Sequence, residues 1–410
     1  MRILFLTDNF PPEVNAPASR TFEHCRRWAA AGHEVTVLTS APNFPRGKVF
    51  PGYRNRLWQW ETMSGVRVLR VWTYIAPNEG FARRIVDYVS YMAAAILASP
   101  LAGKADVVIG TSPQFFPVCA AWAVARLKRA AFVFELRDLW PESIRAVGAM
   151  KDGPVLRALE RLELFLYREA AAIVSVTHSF KEILARRGVD PGKIFVVTNG
   201  VELERFHPMP RDAALAASLG FEGKIVAGYI GTHGMAHALE TILDAAALVR
   251  ERPGGADFRF LLLGDGANKE RLKRRASEIG LDNVRFVDTV PKEDVPRYWS
   301  LLDVSIIHLR RTELFKTVIP SKLFESMGMG IPVFLGVQGE SAAIVEKAGV
   351  GAVFEPENAE ALARELLRLR DHPALAANWR RRGPEAAKAY DRDNLAAVML
   401  DVLHKIVDLK

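Results

Sequence analysis

Short apolar runs recur along this chain, each handing over to a polar or Gly-rich loop and then to a helix, and the pattern is run twice. The first run is residues 3–7, followed by the loop D-N-F-P-P-E-V-N-A-P-A-S-R, an amphipathic helix to about Ala31, a turn at Gly32-His33 and the strand E-V-T-V-L-T. Strand, helix, strand in that order predicts a parallel sheet with helical crossovers. Further strands are expected at 67–71, 105–110, 130–136 and A-A-I-V-S-V, the last enclosed by helices at 160–168 and 180–187. After F-V-V-T-N-G-V-E-L-E-R-F-H-P and a polar connector to about Gly223, the series restarts with I-V-A-G-Y-I-G-T-H-G-M. A helix at 239–250 follows, then strands at 258–263, R-F-V-D-T-V-P, 303–308 and 331–334, and closing helices rich in Ala, Glu, Leu and Arg. Residues 43–63, rich in Pro, aromatic and basic residues, have no clear period and are read as a mobile loop.

Composition removes several classes of function. With 410 residues there is room for two or three domains, each with its own core. Cys25 and Cys119 are too few for a disulfide framework and lack metal-ligand spacing, which fits a reducing cytosol. The start, M-R-I-L-F-L-T-D, enters a strand at once, so no signal peptide is expected and the chain is placed in the cytoplasm. A net charge of +8 favours anionic partners, but no nucleic-acid module or aromatic-basic strip is found, and nucleic acid is discounted. Residues 85–103 are mostly apolar, broken by Asp87 and Pro100 and flanked by Arg83, Arg84 and Lys104. They read as a helix lying on or near a membrane, or simply packed in the core.

The stretch V-I-P-S-K-L-F-E-S-M-G-M-G-I-P-V-F, residues 318–334, carries the most chemistry. Pro320 and Ser321 fit a helix start, with the Ser hydroxyl as cap, and Gly328 and Gly330 fit its end in positive-φ geometry. Lys322 and Glu325 share a helix face beside amides that attract anions. Together they suit a sugar nucleotide, Lys322 for the diphosphate and Glu325 for hydroxyls; Lys and Glu at this spacing are more usually a solvated ion pair.

In the first half, loops at carboxyl ends of parallel strands are where ligands bind, so Asn9, Glu13 and Arg20 are candidates for contacting an acceptor or phosphates. E-L-R-D-L-W-P-E-S crowds acids, an Arg and a Trp into one such loop. Asp138 can orient or deprotonate an acceptor hydroxyl, Arg137 can pair with phosphate, and Trp140 can stack on a sugar, with Glu142 beside them. The plainer reading has Asp138 capping a helix and Trp140 buried beneath it. In the second half, Gly231 and Gly234 let backbone approach a diphosphate, with Thr232 and His237 in that loop. Charge neutralisation there is assigned to Lys322, with Lys316 and Arg310 as helpers. Asp391-Arg392-Asp393 has the look of a metal motif but sits at a helix start and reads as a cap, so no metal is expected.

The stretch at 318–334 resembles the donor-site helix of retaining GT-B glycosyltransferases of family four, in which a Glu precedes Met-x-x-Gly-x-Pro-Val. The family's earlier Glu falls at Thr317 here, with Glu313 as a substitute to consider. F-K-T-V-I-P-S-K and D-L-W-P-E-S are similar to the bacterial aminosugar transferases of surface-polysaccharide assembly, N-acetyl-fucosamine-type enzymes among them. The family's N-G-V-D-x-x-x-F-x-P hinge is matched with Glu202 for Asp, and its L-x-G-x-G turn by Gly264, Asp265 and Gly266. The resemblance implies two facing Rossmann-like α/β domains with a cleft between them: residues 1–205 for the acceptor, 206–385 for the nucleotide sugar, and 386–410 as a helix crossing back to the first. It implies a base seated near Val290 and Pro291, retention of configuration without a covalent nucleophile, and no cofactor. The implied partners are a UDP-linked N-acetylated aminosugar as donor and a lipid-diphosphate-linked saccharide as acceptor, at the inner face of the cytoplasmic membrane. Two rivals stay open: a UDP-aminosugar epimerase or hydrolase of the same architecture, and a non-catalytic partner subunit.

Overall fold

Strand β1 (Arg2–Leu6) is buried from Ile3 onward and lies between two parallel neighbours, β2 (Glu34–Ser40) and β5 (Val107–Thr111). A strand covered on both faces needs apolar side chains at both parities, and R-I-L-F-L supplies them. This computed structural model describes residues 1–44, 47–75, 81–113, 115–139 and 153–408. The chain divides into two units, residues 1–198 with 392–410, and residues 199–391.

In the first unit the sheet order is β3-β4-β2-β1-β5-β6-β7-β8, with β3 (Trp58–Met63), β4 (Val66–Val71), β6 (Ala131–Leu136), β7 (Ala172–Ser175) and β8 (Ile194–Val196). Helix α1 (Ala16–Ala30) packs on the face carrying Ile3, Phe5, Val37 and Val68. The opposite face, with Leu4, Leu6, Leu38 and Leu69, receives α2 (Phe81–Ala98), α3 (Phe115–Lys128), α4 (Pro154–Glu169) and α5 (His178–Arg186). Asn15 starts α1 by accepting the Ala18 amide through its side chain at 2.9 Å, ahead of a Pro in the first turn. The expected loop at 43–63 contains a strand: β3 runs antiparallel to β4 through a tight turn in which Ser64 (φ 47°) and Gly65 (φ 80°) are both left-handed. That turn matches the twist of a two-residue hairpin, and W-Q-W-E-T-M alternates as a strand should.

The second unit is an all-parallel sheet in the order β11-β10-β9-β12-β13-β14. Its strands are β9 (Ile225–Ile230), β10 (Phe258–Leu263), β11 (Val284–Val287), β12 (Val304–His308), β13 (Val333–Gly336) and β14 (Gly351–Val353). On one face lie α6 (Ala213–Leu219), then, on the other, α7 (Glu240–Arg250) and α8 (Lys269–Glu278). Helices α9 (Val295–Trp299), α10 (Lys322–Gly328) and α11 (Glu340–Ala348) return to the α6 face, α12 (Ala359–Asp371) joins α7, and α13 (Pro373–Ala387) touches both cores. The two ends of this unit run side by side: Val201 and Asp391 form a parallel bridge, and the Val201 amide donates to Tyr390 O at 2.9 Å. The last helix, α14 (Arg392–Asp408), therefore leaves the second unit and packs on α1 of the first, where Trp28 Nε1 donates to Ala396 O at 2.9 Å and Arg27 pairs with Asp393. Neither sheet closes into a barrel, since each has two free edges in its strand order.

Candidate functional site

All strands of the second unit's sheet point the same way, so the turns after β9, β10, β11 and β12 gather at one edge. Gly231, after β9, and Gly264, after β10, hold φ of +145° and +139°. Their backbones touch: the Gly231 amide donates to Leu263 O at 2.9 Å, and a Cβ on Gly264 would stand 1.9 Å from Gly231 O. One step further, the His233 amide donates to Asp265 O at 2.8 Å and the Asn268 amide to His233 O at 2.9 Å. The two Gly-rich turns thus form one backbone surface.

Lys322 reaches this surface from the first position of α10. Its Nζ lies 3.9 Å from the centroid of the Tyr229 ring, and a Cβ on Gly231 would stand 2.8 Å from that nitrogen. Tyr229, on β9, is fully buried and donates through its hydroxyl to Thr232 O at 2.7 Å, so ring and turn are tied together. Desolvation pulls the Lys322 ammonium down to about 7, against the opposing pull of the Glu325 charge. His233 is fully buried with neither ring nitrogen hydrogen-bonded, and burial, then Lys269 and Lys322, bring it down to about 4. Burial and Lys322 take His237 to about 3, so both rings are neutral at pH 7. The arrangement offers an anion one titratable cation, backbone from two turns, and a site walled by neutral rings.

Other residues expected here fall at the same sheet edge with different standing. Thr232 lends its carbonyl to Tyr229, and the Asp265 carboxylate accepts its neighbour Gly266's amide at 2.7 Å. Val290 and Pro291 form the turn after β11, with Pro291 O accepting the Asp294 amide at 3.0 Å. Arg310 is anchored by its amide, 2.8 Å from Ala236 O, and leaves its side chain exposed beside that loop. Lys316 points outward and pairs with exposed Glu313 at 2.6 Å, three residues away, so this lysine and this acid neutralise each other at the surface. Pro320 O accepts the Leu323 amide at 3.0 Å. Two local expectations are corrected. The Ser321 hydroxyl makes no capping bond, because Ser321 is already helical (φ −56°, ψ −32°) and the first turn closes on backbone carbonyls. Gly328 stays inside the helix, where a Cβ would meet Phe206 O at 2.6 Å; Gly330 alone takes the left-handed turn, at φ 67°.

The first unit gathers a second set at the carboxyl ends of its strands. Asn9 is buried and accepts from Asn15 Nδ2 at 2.9 Å. Glu13 is buried too, with Oε1 accepting the amides of Asn43 and Phe44, both at 2.8 Å; burial raises its pKa against those bonds. It fastens two loops together. Arg20 spends its guanidinium inside the unit: Nε on Glu135 Oε1 at 2.9 Å, Nη1 on Thr198 O at 2.6 Å and Nη2 on Val197 O at 2.9 Å. With every branch engaged and 5% of its surface exposed, Arg20 is a strut, which corrects its assignment to an acceptor or phosphate. Burial alone would raise Glu135, but Arg20 and Arg137 outweigh it and hold the carboxyl below its usual range. Arg137 differs from Arg20: its Nε and Nη1 are buried without a hydrogen-bond partner among the described residues, and burial brings it down to about 10. Asp138 sits beside it, and the amides of both point at Ser112 Oγ, at 2.8 and 3.2 Å. Trp140 and Glu142 lie outside the described residues.

Residues 15–200 match the family described as glycosyl transferase 4-like domain, and residues 224–372 match glycosyl transferases group 1. The chain carries the paired domains of a GT-B glycosyltransferase. It is 25% identical to the putative colanic acid biosynthesis glycosyl transferase WcaI of Escherichia coli over 96% of this chain and 98% of that protein. In fold it is similar to sucrose-phosphate synthase from Thermosynechococcus elongatus, with a TM-score of 0.80, 18% identity and 100% of both chains covered. It is likewise similar to HepE from Anabaena in complex with UDP and glucose, with a TM-score of 0.74, 16% identity, and 98% and 99% of the two chains covered.

Three residues of this glycosyltransferase were not singled out from sequence. Tyr229 and His233 sit in I-V-A-G-Y-I-G-T-H-G, where the sequence points to the glycines and Thr232; a large aromatic two residues before the first turn glycine is the available signal. Asp8 lies two residues past the end of β1, and burial, then Asp87 and Glu13, raise its carboxyl well above the usual range. A carboxyl raised in this way at a strand's carboxyl end joins Asp138 as a candidate for proton transfer.

Proposed function

We propose that this glycosyltransferase moves an N-acetylated aminosugar from a UDP-sugar to a lipid-diphosphate-linked saccharide in bacterial surface-polysaccharide assembly, with retention of configuration and without a metal. The observation that carries the reading is the Lys322 ammonium, desolvated against Tyr229 and brought to the Gly231 turn. Sugar transfer leaves negative charge on the departing diphosphate, and a site of low dielectric with a positioned cation stabilises it most where it develops. Lys322 and the turns at Gly231 and Gly264 take the diphosphate, with Thr232 and Asp265 lining it and Arg310 adding positive potential, while Lys316 contributes only where a bound donor draws it away from Glu313. Glu325, one turn along α10 and leading on from Pro320 and Ser321, takes donor hydroxyls, and the Val290-Pro291 turn takes the base. In the first unit Asp138 positions the acceptor hydroxyl and Arg137, with two nitrogens unpartnered among the described residues, pairs with acceptor phosphate. WcaI, by its name a colanic acid transferase, and HepE with its bound UDP support the choice of pathway class and nucleotide.

Calorimetry with UDP, GDP, ADP and their common sugars tests the reading on the wild type, Lys322→Ala and Glu325→Ala. UDP binding is expected to weaken in the variants by about tenfold or more, roughly 1.4 kcal/mol. Failure of every nucleotide to bind below about millimolar concentration would sink it.

A further inference from the structure

Helix α2 breaks the rule that a helix on a sheet turns a polar stripe outward. Its inner face is ordinary: Tyr91 and Ala95, followed by Ser99 and Ala102 in the short turn beyond, are buried, and the Tyr91 hydroxyl donates to Leu38 O on the sheet at 2.8 Å. After exposed Arg83 in the first turn, the outer stripe is Ile85, Val86, Val89, Ala93, Leu97 and, in the short turn beyond, Leu101, all exposed and uncharged. Leu97 is 81% exposed. Residues 85–102 are long and apolar enough to cross a membrane, and 22% of that window is buried. The inner contacts hold α2 against its sheet and against α3, so a bilayer meets this helix along one side only.

The neighbouring sheet edge continues the surface. Trp58 and Trp60 of β3 stand opposite Val71 and Leu69 of β4, whose side chains share a core with Tyr91 and Ala95. Directly paired residues point to one face, so both indoles emerge on the α2 side of the sheet; they are 55% and 40% exposed. Arg67 stacks its guanidinium 4.7 Å from the Trp60 ring centroid. Between Arg67 and the end of the α2 turn lies a cleft of about 250 Å³ lined by Arg2, Glu34, Arg67 and Lys104, with Ala102 and Gly103. Arg2 is paired with Asp106, whereas Arg67 and Lys104 have no carboxylate partner among the described residues. The apolar stripe, the two indoles and the cations Arg67 and Lys104 therefore lie on the α2 side of the first unit's sheet.

We infer that this face docks the protein flat on an anionic lipid bilayer, with the outer stripe of α2, Trp58 and Trp60 at the acyl boundary and Arg67 and Lys104 on lipid phosphate. Indoles and basic residues around a buried apolar stripe are what an interfacial helix needs. A second copy is the weaker occupant, because a two-fold contact across this face would set Arg67 and Lys104 against their own kind. The inference rests on and deepens the proposed lipid-linked acceptor by naming the surface that meets its membrane: midway along α2, Ser90 Oγ accepts the Tyr74 amide at 2.8 Å, which ties the helix to the loop at the carboxyl end of β4.

Flotation of the full chain with vesicles of phosphatidylcholine, alone or with about one third phosphatidylglycerol, tests it. The wild type is expected to float with the anionic vesicles, and both Leu97→Glu/Leu101→Glu and Arg67→Glu/Lys104→Glu are expected to lower its partition about tenfold or more. All four positions are exposed, and circular dichroism checks that the variants fold. Equal flotation of the wild type with both vesicle types, no flotation, or variants that float like the wild type would each overturn the inference. So would a dimer in sedimentation equilibrium that Leu97→Glu dissolves. UDP calorimetry on the same samples reports the donor reading separately, since no altered residue lies in the second unit.

Discussion

The Lys322 ammonium stands 3.9 Å from the centre of the Tyr229 ring, 93 positions away in sequence, and the ring is held by its hydroxyl on Thr232 O. A cation over an aromatic face gains about 0.5 to 2 kcal/mol as it loses water, so the pair keeps a charge in a place that otherwise disfavours it. Lys322→Met is expected to weaken UDP binding about tenfold or more. Tyr229→Leu removes the ring and is expected to cost a smaller part of that affinity, while Tyr229→Phe, which keeps the ring, stays close to the wild type. Equal losses in Tyr229→Phe and Tyr229→Leu, measured by calorimetry, would move the effect from the ring to the hydroxyl.

The same burial makes binding depend on pH. Lys322 titrates near 7 in the folded protein against an ordinary 10.5, so an anion that needs its charge binds best below pH 7 and progressively less as pH rises above it. A UDP-sugar is the probe to use, because its diphosphate does not titrate in this range. Wild-type affinity is expected to fall between pH 6 and pH 8.5, roughly in step with loss of one proton, and Lys322→Met is expected to bind weakly with a flat profile. Stability runs the other way. Between pH 7 and 10.5 the unfolded chain holds the proton that the folded chain has lost, so folding gains stability as pH rises through that window, and this gain is expected to be absent in Lys322→Met.

These relations explain which parts of the site could be read from sequence. Gly231 and Gly264 announce themselves because each ends an apolar strand, and a residue without a Cβ there has few other uses. Lys322 was visible as a cation at a helix start, yet its partner was not: which ring lies under it depends on the parity of β9 and on α10 sitting over β9's end. Ser321 misled because a Ser after Pro reads as a cap, whereas the chain is already helical there. Strand β3 was lost in the Pro-rich stretch because Ser64, a residue that seldom adopts positive φ, makes half of its turn. Arg20 shows the limit most clearly. A conspicuous Arg near a ligand-side loop is chemically the same whether it meets a phosphate or a buried carboxylate, and only Glu135, 115 positions on, decides.

Gly264 gives a prediction on stability. At φ +139° an L side chain is strained, and a Cβ would stand 1.9 Å from the Gly231 carbonyl oxygen, backbone against backbone, with no flexible neighbour to yield. Gly264→Ala is expected to cost about 3 kcal/mol or more in urea unfolding and to abolish UDP binding by separating the two turns. Gly280, also left-handed at φ 64° but with nothing near its Cβ, is the control: Gly280→Ala is expected to cost about 1 kcal/mol and leave binding intact.

The Arg20–Glu135 pair separates a strut from a ligand contact. Their nitrogen and oxygen are 2.9 Å apart, both side chains are nearly sealed from water, and two further Arg20 nitrogens hold the carbonyls of Val197 and Thr198. Removing one member of such a pair strands the other charge in a medium that cannot solvate it, typically at about 3 to 5 kcal/mol. Arg20→Met is therefore expected to lower the urea-unfolding free energy by an amount in that range, and Glu135→Gln by less, because the amide still accepts from Arg20. Steady-state kinetics complete the comparison: a strut changes the amount of folded enzyme and leaves acceptor KM unchanged, whereas a phosphate contact raises KM at unaltered stability. Arg20→Met folding as firmly as the wild type, with acceptor KM raised about tenfold, would return Arg20 to the acceptor site.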